Sequence, residues 1–226
     1  AAEARITKRL KKAFPNTLIF GEEAVAANPS LRGQLADAEL AIIIDPVDGT
    51  WNYARGLALF GVILAVTRYG MPVYGLFYDP MMDDWIFASH DGAACYASPS
   101  HSRVLQLPQG ATATKADGYL PLGFLPKPHR PRVATQWPVI GPIDSLRCSC
   151  HEFRMLAQGH VDFVLLARLT PWDHAAGVLV VQQAGGVAKM LDGSVYSATQ
   201  RDGYLLAARN TSSWTETQQA LAFLLD

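Results

Sequence analysis

The chain of 226 residues carries 19 basic against 20 acidic side chains, for a formal net charge of -1, and half of its residues are hydrophobic. A chain of this length and apolar content can bury one large core or two small ones. Its interspersed charges suggest neither a nucleic-acid nor a membrane surface, no apolar run approaches the ~20 residues of a membrane span, and three cysteines (Cys95, Cys148, Cys150), an odd number, argue against a disulfide framework and for a reducing compartment, so a cytoplasmic protein is expected.

The first predicted element is an amphipathic helix. Ile6, Leu10 and Phe14 share one face, Lys8, Arg9, Lys11 and Lys12 surround it, and Pro15-Asn16 ends the pattern. Thr17 to Phe20 reads as a short strand delivering Gly21-Glu22-Glu23 at its end. Residues 24 to 38, with Pro29 and Gly33, read as a loop or short helix. Leu40 to Ile44 is an unbroken apolar run and predicts a strand buried on both faces. It hands the chain to Asp45-Pro46-Val47-Asp48-Gly49-Thr50-Trp51-Asn52, with Asp45 expected where the sheet ends.

Two carboxylates three residues apart on a turn kept tight by Pro46 and Gly49 repel each other. A strand end that holds them together points to bound cations or to a shifted proton affinity. Oxygen donors with no neighbouring Cys or His favour magnesium, manganese or calcium over zinc. An EF-hand loop is excluded because Val47 and Gly49 occupy positions three and five, where it needs oxygen ligands. The Asp-x-Asp-Gly-Thr motif of haloacid-dehalogenase-type phosphatases is excluded because two residues, not one, separate the acids here.

Gly61 to Tyr69, Pro72 to Tyr78, Trp85 to Ser89 and Ala94 to Tyr96 follow as short β-rich runs. Gly70, Asp79-Pro80 and Asp91-Gly92 punctuate them, which predicts an antiparallel meander. Between Pro99 and Pro142 prolines cluster and periodicity is weak, although Val104 to Leu107 and Arg132 to Thr135 look like strands. Cys150 to Ala157 predicts a helix closed by Gly159, and Asp162 to Ala167 a strand. Cys148-x-Cys150 lacks the second Cys or His pair of a zinc site. In Thr170-Pro171-Trp172-Asp173-His174-Ala175-Ala176-Gly177, Thr170 suits an N-cap, Pro171 the first helical position, and Asp173 the first turn, where the helix dipole favours an acid. Gly185-Gly186 ends that helix. Strands at Val187 to Leu191 and Tyr204 to Ala208 come next, and Ser213-Trp214-Thr215-Glu216 reads as the capping box of a last helix.

Taken together, Gly21-Glu22-Glu23, Asp45-x-x-Asp48-Gly49-Thr50-x-Asn52 and Trp172-Asp173-x-Ala175-Ala176-Gly177 resemble the signatures of the inositol monophosphatase family of metal-dependent, lithium-sensitive phosphatases. The resemblance runs from Glu3 to the final helix. It implies an α/β (α+β) fold, the layered α-β-α-β-α sandwich shared with fructose-1,6-bisphosphatase. The chain would be a single catalytic unit over residues 1–226, with an antiparallel sheet in 1–98, a mixed sheet in 99–226, and the metals between them. Glu22, Asp45 and the Val47 carbonyl would hold a first magnesium, Asp45, Asp48 and Asp173 a second, and Glu22 with waters a third; manganese is an alternative ion and lithium an inhibitor. Glu22, Asp45 and Thr50 would serve catalysis, Thr50 by orienting the attacking water. Gly49 and Thr50 would cradle the phosphate with backbone N–H groups, as a helix start can.

Two departures from the family are visible. Its Thr-x-x-Asp segment, whose aspartate pairs with the threonine matched by Thr50, would fall just before Ala1, which leads to the expectation of an N-terminally truncated chain. Where relatives acting on inositol phosphates carry a Gly-Ser-Ala-Ala-like stretch and a glutamate for sugar hydroxyls, this chain has Leu146 to Glu152 and Leu166. An apolar side chain accepts no hydroxyl. The expected activity is hydrolysis of a small phosphorylated metabolite. Inositol monophosphate leads by family, with histidinol phosphate, a sugar bisphosphate or a nucleotide 3'-phosphate as competitors. A non-catalytic metal- and phosphate-binding homologue and a calcium-binding structural domain are the readings from other classes. The expected partner is the metabolite alone, not a nucleic-acid polymer or a membrane. Family members are often homodimers, and no residue here sets the oligomeric state.

Overall fold

The computed structural model describes residues 2–110 and 116–226. Ala1 and residues 111–115, within the weakly periodic stretch, lie outside the described residues. After helix α1 (Ala2–Ala13) the chain builds a seven-stranded sheet in sequential order. Its strands are β1 (Leu18–Gly21), β2 (Ala41–Asp48), β3 (Gly61–Arg68), β4 (Met71–Asp79), β5 (Asp84–Ser89), β6 (Cys95–Ala97) and β7 (Ser102–Val104). From β2 onward the pairings are antiparallel, as the meander predicted. The β1–β2 pair is parallel, because helix α2 (Glu22–Ala27) and the 3-10 turn Pro29–Leu35 carry the chain back between them. At the β3–β4 hairpin Tyr69 (φ 48°) and Gly70 (φ 77°) are both left-handed, the conformation a two-residue hairpin turn needs.

A short helix α3 (Thr50–Tyr53) follows β2. A second, five-stranded sheet takes the order β11-β12-β10-β8-β9 and mixes parallel with antiparallel pairs. Its strands are β8 (Ala116–Tyr119), β9 (Ile140–Asp144), β10 (Phe163–Leu166), β11 (Val187–Met190) and β12 (Leu205–Ala208), interleaved with α4 (His129–Ala134), α5 (Ser149–Ala157), α6 (Pro171–Gln183) and, last, α7 (Thr211–Leu221).

Alternation along the strands decides the layering. In β3, Ile63 and Ala65 enter the large core with Ala175 and Ala176 of α6, while Leu64 and Val66 face Leu10 of α1. In the second sheet Val164, Leu166, Leu205 and Ala207 face that same core, and Phe163, Leu165, Leu206 and Ala208 join Leu221 in a second cluster. The order is therefore helix, sheet, helices α5 and α6, sheet, helix, the expected sandwich. Among the described residues no helix is long and apolar enough to cross a membrane.

Several local expectations are corrected. Arg132 to Thr135 is not a strand: it lies in and just after α4, whose first turn holds Pro131 and whose one buried side chain is Val133. The run at Val104 to Leu107 pairs only as Ser102–Val104, and that strand extends the first sheet beyond residue 98. The last helix begins earlier than Ser213. Asn210 is its cap, accepting the Ser213 N–H at 2.9 Å, and Ser213 is fully buried within the first turn. Ser213 lost to Asn210 because an asparagine also serves the Pro108 and Gly110 carbonyls from the same position.

Candidate functional site

Three residues apart on a regular strand, Asp45 and Asp48 would point to opposite faces. They do not, because the β2–β3 register slips: Asp45 pairs with Ile63 but Asp48 with Gly61, three steps on one strand against two on the other. This bulge turns both carboxylates to the same side. It also corrects the expectation that the sheet ends at Asp45, since β2 runs on to Asp48. Asp45 is 3% exposed and Asp48 7%.

The Asp48 carboxylate faces the start of α5, where the helix dipole favours a negative charge. It accepts the Cys150 N–H and, at 3.2 Å, the Cys148 thiol, and the Ser149 and Gly49 N–H groups also bond to it. Cys148 and Cys150 thus pack around an acid, and Gly61 opposite must lack a side chain, because a Cβ there would meet the Cys150 sulfur at 2.3 Å.

Asp173 arrives on α6, and small residues bring that helix in. A Cβ on Gly75 of β4 would stand 2.7 Å from the Ala176 carbonyl, and one on Gly177 would enter the Phe153 ring of α5 at 2.5 Å. Thr170, at the N-cap, turns its hydroxyl to the Asp173 carboxylate, and its N–H donates to His174 Nδ1 at 3.2 Å. Burial pushes His174 down to about 3, so the ring is neutral with its proton on Nε2. Asp45, Asp48 and Asp173 offer carboxylate oxygens that all lie within 4.8 Å of one another.

Glu22 opens α2 behind Gly21, which has no capping side chain. The buried Glu3 of α1 replaces it, accepting the Glu23 and Ala24 N–H groups at 2.7 and 2.9 Å. Glu22 then lines the same cavity of about 800 Å³ as the three aspartates, close enough to bond to the Asp45 carboxylate, whereas Glu23 is exposed and outside that lining. The Val47 carbonyl accepts the Thr50 hydroxyl at 2.9 Å. Gly49 (φ 81°) and Thr50 line the cavity as well.

Burial, then repulsion from Asp48, Asp173 and Glu22, pushes Asp45 up to about 10. Burial and then Asp48 raise Asp173 to about 7; burial and then Asp173 raise Glu22; burial raises Asp48 against its four hydrogen bonds. Such a group of acids either takes up protons or shares a cation. An all-oxygen donor set of this kind fits a hard divalent ion.

Sequence reasoning left several cavity residues unplaced. Arg147 and Arg168 line the cavity, as do Trp51, the Leu120 to Phe124 wall and the buried Glu152. His151 does not: its Nε2 lies 3.2 Å from the Phe60 carbonyl. Trp172 packs near Phe20, with ring centroids 6.1 Å apart, and borders the cavity too. No local pattern marks the wall or the arginines, since loops from three elements bring them together.

A layered two-sheet α/β protein with a buried acidic centre able to hold a metal ion is the class these features define. The chain belongs to the inositol monophosphatase family, whose pattern matches residues 1–223. Nus factor SuhB of Escherichia coli (strain K12) is 29% identical over 219 residues, spanning 89% of this chain and 76% of the relative. Nus factor SuhB of Xylella fastidiosa (strain Temecula1 / ATCC 700964) is 31% identical over 196 residues, 82% of this chain and 64% of the relative. Among solved structures, inositol monophosphatase - II from Staphylococcus aureus MSSA476 superposes with a TM-score of 0.83 at 20% identity, over 97% of this chain and 79% of that one. Mycobacterium tuberculosis SuhB gives 0.75 at 20% identity, over 98% and 82%. Both share the fold.

Proposed function

We propose that the chain is a magnesium-dependent phosphomonoesterase acting on a small phosphorylated metabolite. The observation that carries this reading is the carboxylate triad of the buried Asp45 and Asp48 and the half-buried Asp173 on the wall of a cavity of about 800 Å³. Glu22, Asp45, the Val47 carbonyl, Asp48 and Asp173 would hold two or three magnesium ions, with manganese as a substitute. When bound, the ions polarise a phosphoryl oxygen and supply an activated water.

The protein's own groups do the positioning. Glu3 fixes the start of α2 and so the direction of Glu22; the α5 N-terminus fixes Asp48; Thr170 fixes Asp173. Glu22 and Thr50 orient the attacking water, the Thr50 hydroxyl being tethered at Val47, and Gly49 with Thr50 borders the phosphate. Inositol monophosphate remains the reference substrate by family. Leu166 on the cavity wall weighs toward histidinol phosphate, a sugar bisphosphate or a nucleotide 3'-phosphate. The reading includes lithium inhibition and a cytoplasmic location.

The relatives' name, Nus factor SuhB, is not that of a hydrolase and favours one second reading: a homologue that holds metal and phosphate without turnover. Phosphate release from a metabolite panel, with magnesium and with lithium added, separates the two. Magnesium-dependent release that falls by more than about a hundredfold in Asp45→Asn and Asp173→Asn supports the enzyme. No release from any ester, with magnesium binding intact by calorimetry, replaces it with the binding protein.

A further inference from the structure

Among the described residues, the arginines around the cavity form no ion pair with a carboxylate. Arg147, just before α5, holds a left-handed backbone (φ 53°), rare for a residue with a side chain. Its guanidinium lies 4.2 Å from the centroid of the Trp51 ring, and that of Arg55 lies 4.0 Å from the same ring. The indole therefore gathers two cations at the cavity edge. Arg168, just past β10, lines the cavity next to Thr170 and Trp172, and Arg32 lies 5.1 Å over the Trp172 ring. After burial, Arg201 and Arg168 are what hold Arg32 below the usual guanidinium value, so these three cations share one neighbourhood. Among the described residues the ion pairs are made by Arg132, Arg154, Arg209 and His151, and none by Arg32, Arg55, Arg147 or Arg168. Arg168 reaches Asp173 only at longer range than an ion pair.

Unpaired like charges at a concave surface raise the local potential and draw in an anion. The scissile phosphate of an ester belongs at the acidic centre, through whatever cations the acids hold. Two guanidiniums on the same cavity are then surplus to a neutral alcohol, whose hydroxyls would face the apolar Leu166, Leu120 and Ile143 and the acceptors Asp144 and Ser145. We propose, building on the phosphatase reading, that the substrate carries a second anionic group, a carboxylate or a second phosphate, and that Arg147 and Arg168 are the residues that select it. Guanidinium is suited to either, since its planar donors match both oxyanions in pairs.

The test uses the full chain with magnesium and three matched esters: propyl phosphate, 3-(phosphonooxy)propanoate and propane-1,3-diol bisphosphate. The kcat/KM of at least one ester with a second anionic group should exceed that of propyl phosphate by about tenfold to a hundredfold, the worth of a charge-assisted hydrogen bond. Which ester leads distinguishes carboxylate from phosphate. Arg147→Met or Arg168→Met should bring that ratio close to one, mainly through KM; a ratio cancels any loss of folded protein. Propyl phosphate turned over as well as both others, or a ratio that survives in both variants, overturns this proposal and leaves the phosphatase reading standing. No release from these esters or from the metabolite panel overturns both.

Discussion

Glu152 illustrates what burial does to a single acid. It is 2% exposed, accepts the Leu146 N–H at 2.8 Å and the Ser145 hydroxyl at 3.1 Å, and burial still pushes it up to about 7. Because the folded value lies above the unfolded one, its stabilising contribution is complete below about pH 4.5 and is lost as pH rises through about 7. Over that window the loss amounts to about 3 kcal/mol. Glu152→Gln should remove this slope, so urea denaturation at pH 5 and pH 8 should show the variant gaining on the wild type at the higher pH. Parallel pH profiles would contradict it. The same logic reads the aspartates: residue types and spacing announce them, but their proton affinities depend on neighbours from four different elements.

At the scale of elements, α6 is where packing sets the chemistry. Ala175, Ala176 and Gly177 let the helix approach β4 and α5 closely enough that a methyl group at Gly177 would enter the Phe153 ring. Gly177→Ala gains helix propensity, worth about 1 kcal/mol, but overpacks a tight contact, which costs about 1–3 kcal/mol. Because the clash involves a fully buried ring rather than a flexible chain end, we expect net destabilisation by urea unfolding, together with weaker magnesium binding as Asp173 shifts. An unchanged midpoint would mean that α5 can yield. The Trp-Asp-x-Ala-Ala-Gly motif was legible as a helix start with an acid; that its small residues form a close contact with β4 and α5 was not.

At the scale of the molecule, the acidic centre draws on both halves of the chain: Asp45 and Asp48 from the first sheet, and Asp173 from a helix packed between the sheets. An ion shared by these groups binds only the folded protein. Magnesium should therefore raise the melting temperature, by an amount corresponding to about 2.7 kcal/mol at a hundredfold excess over its dissociation constant. Asp45→Asn should abolish the shift, as scanning calorimetry with and without chelator will show. An equal shift in the variant would place the ion elsewhere.

The meander from Gly61 to Tyr96, the strand before Asp45, the helix at Pro171 and the three acidic motifs are legible in the chain, because each is written in local periodicity, turn chemistry and residue type. The helix at His129–Ala134 and strands β8 and β9 are not, because prolines are frequent there and no period emerges. The bulge that turns Asp45 and Asp48 to one side, the capping of the Glu22 helix by Glu3, and the meeting of Arg147 and Arg168 at one cavity emerge only from the packed fold. The reason is physical. Local sequence sets the shape of each element, whereas register, close approach and charge neighbourhood arise between elements distant in the chain.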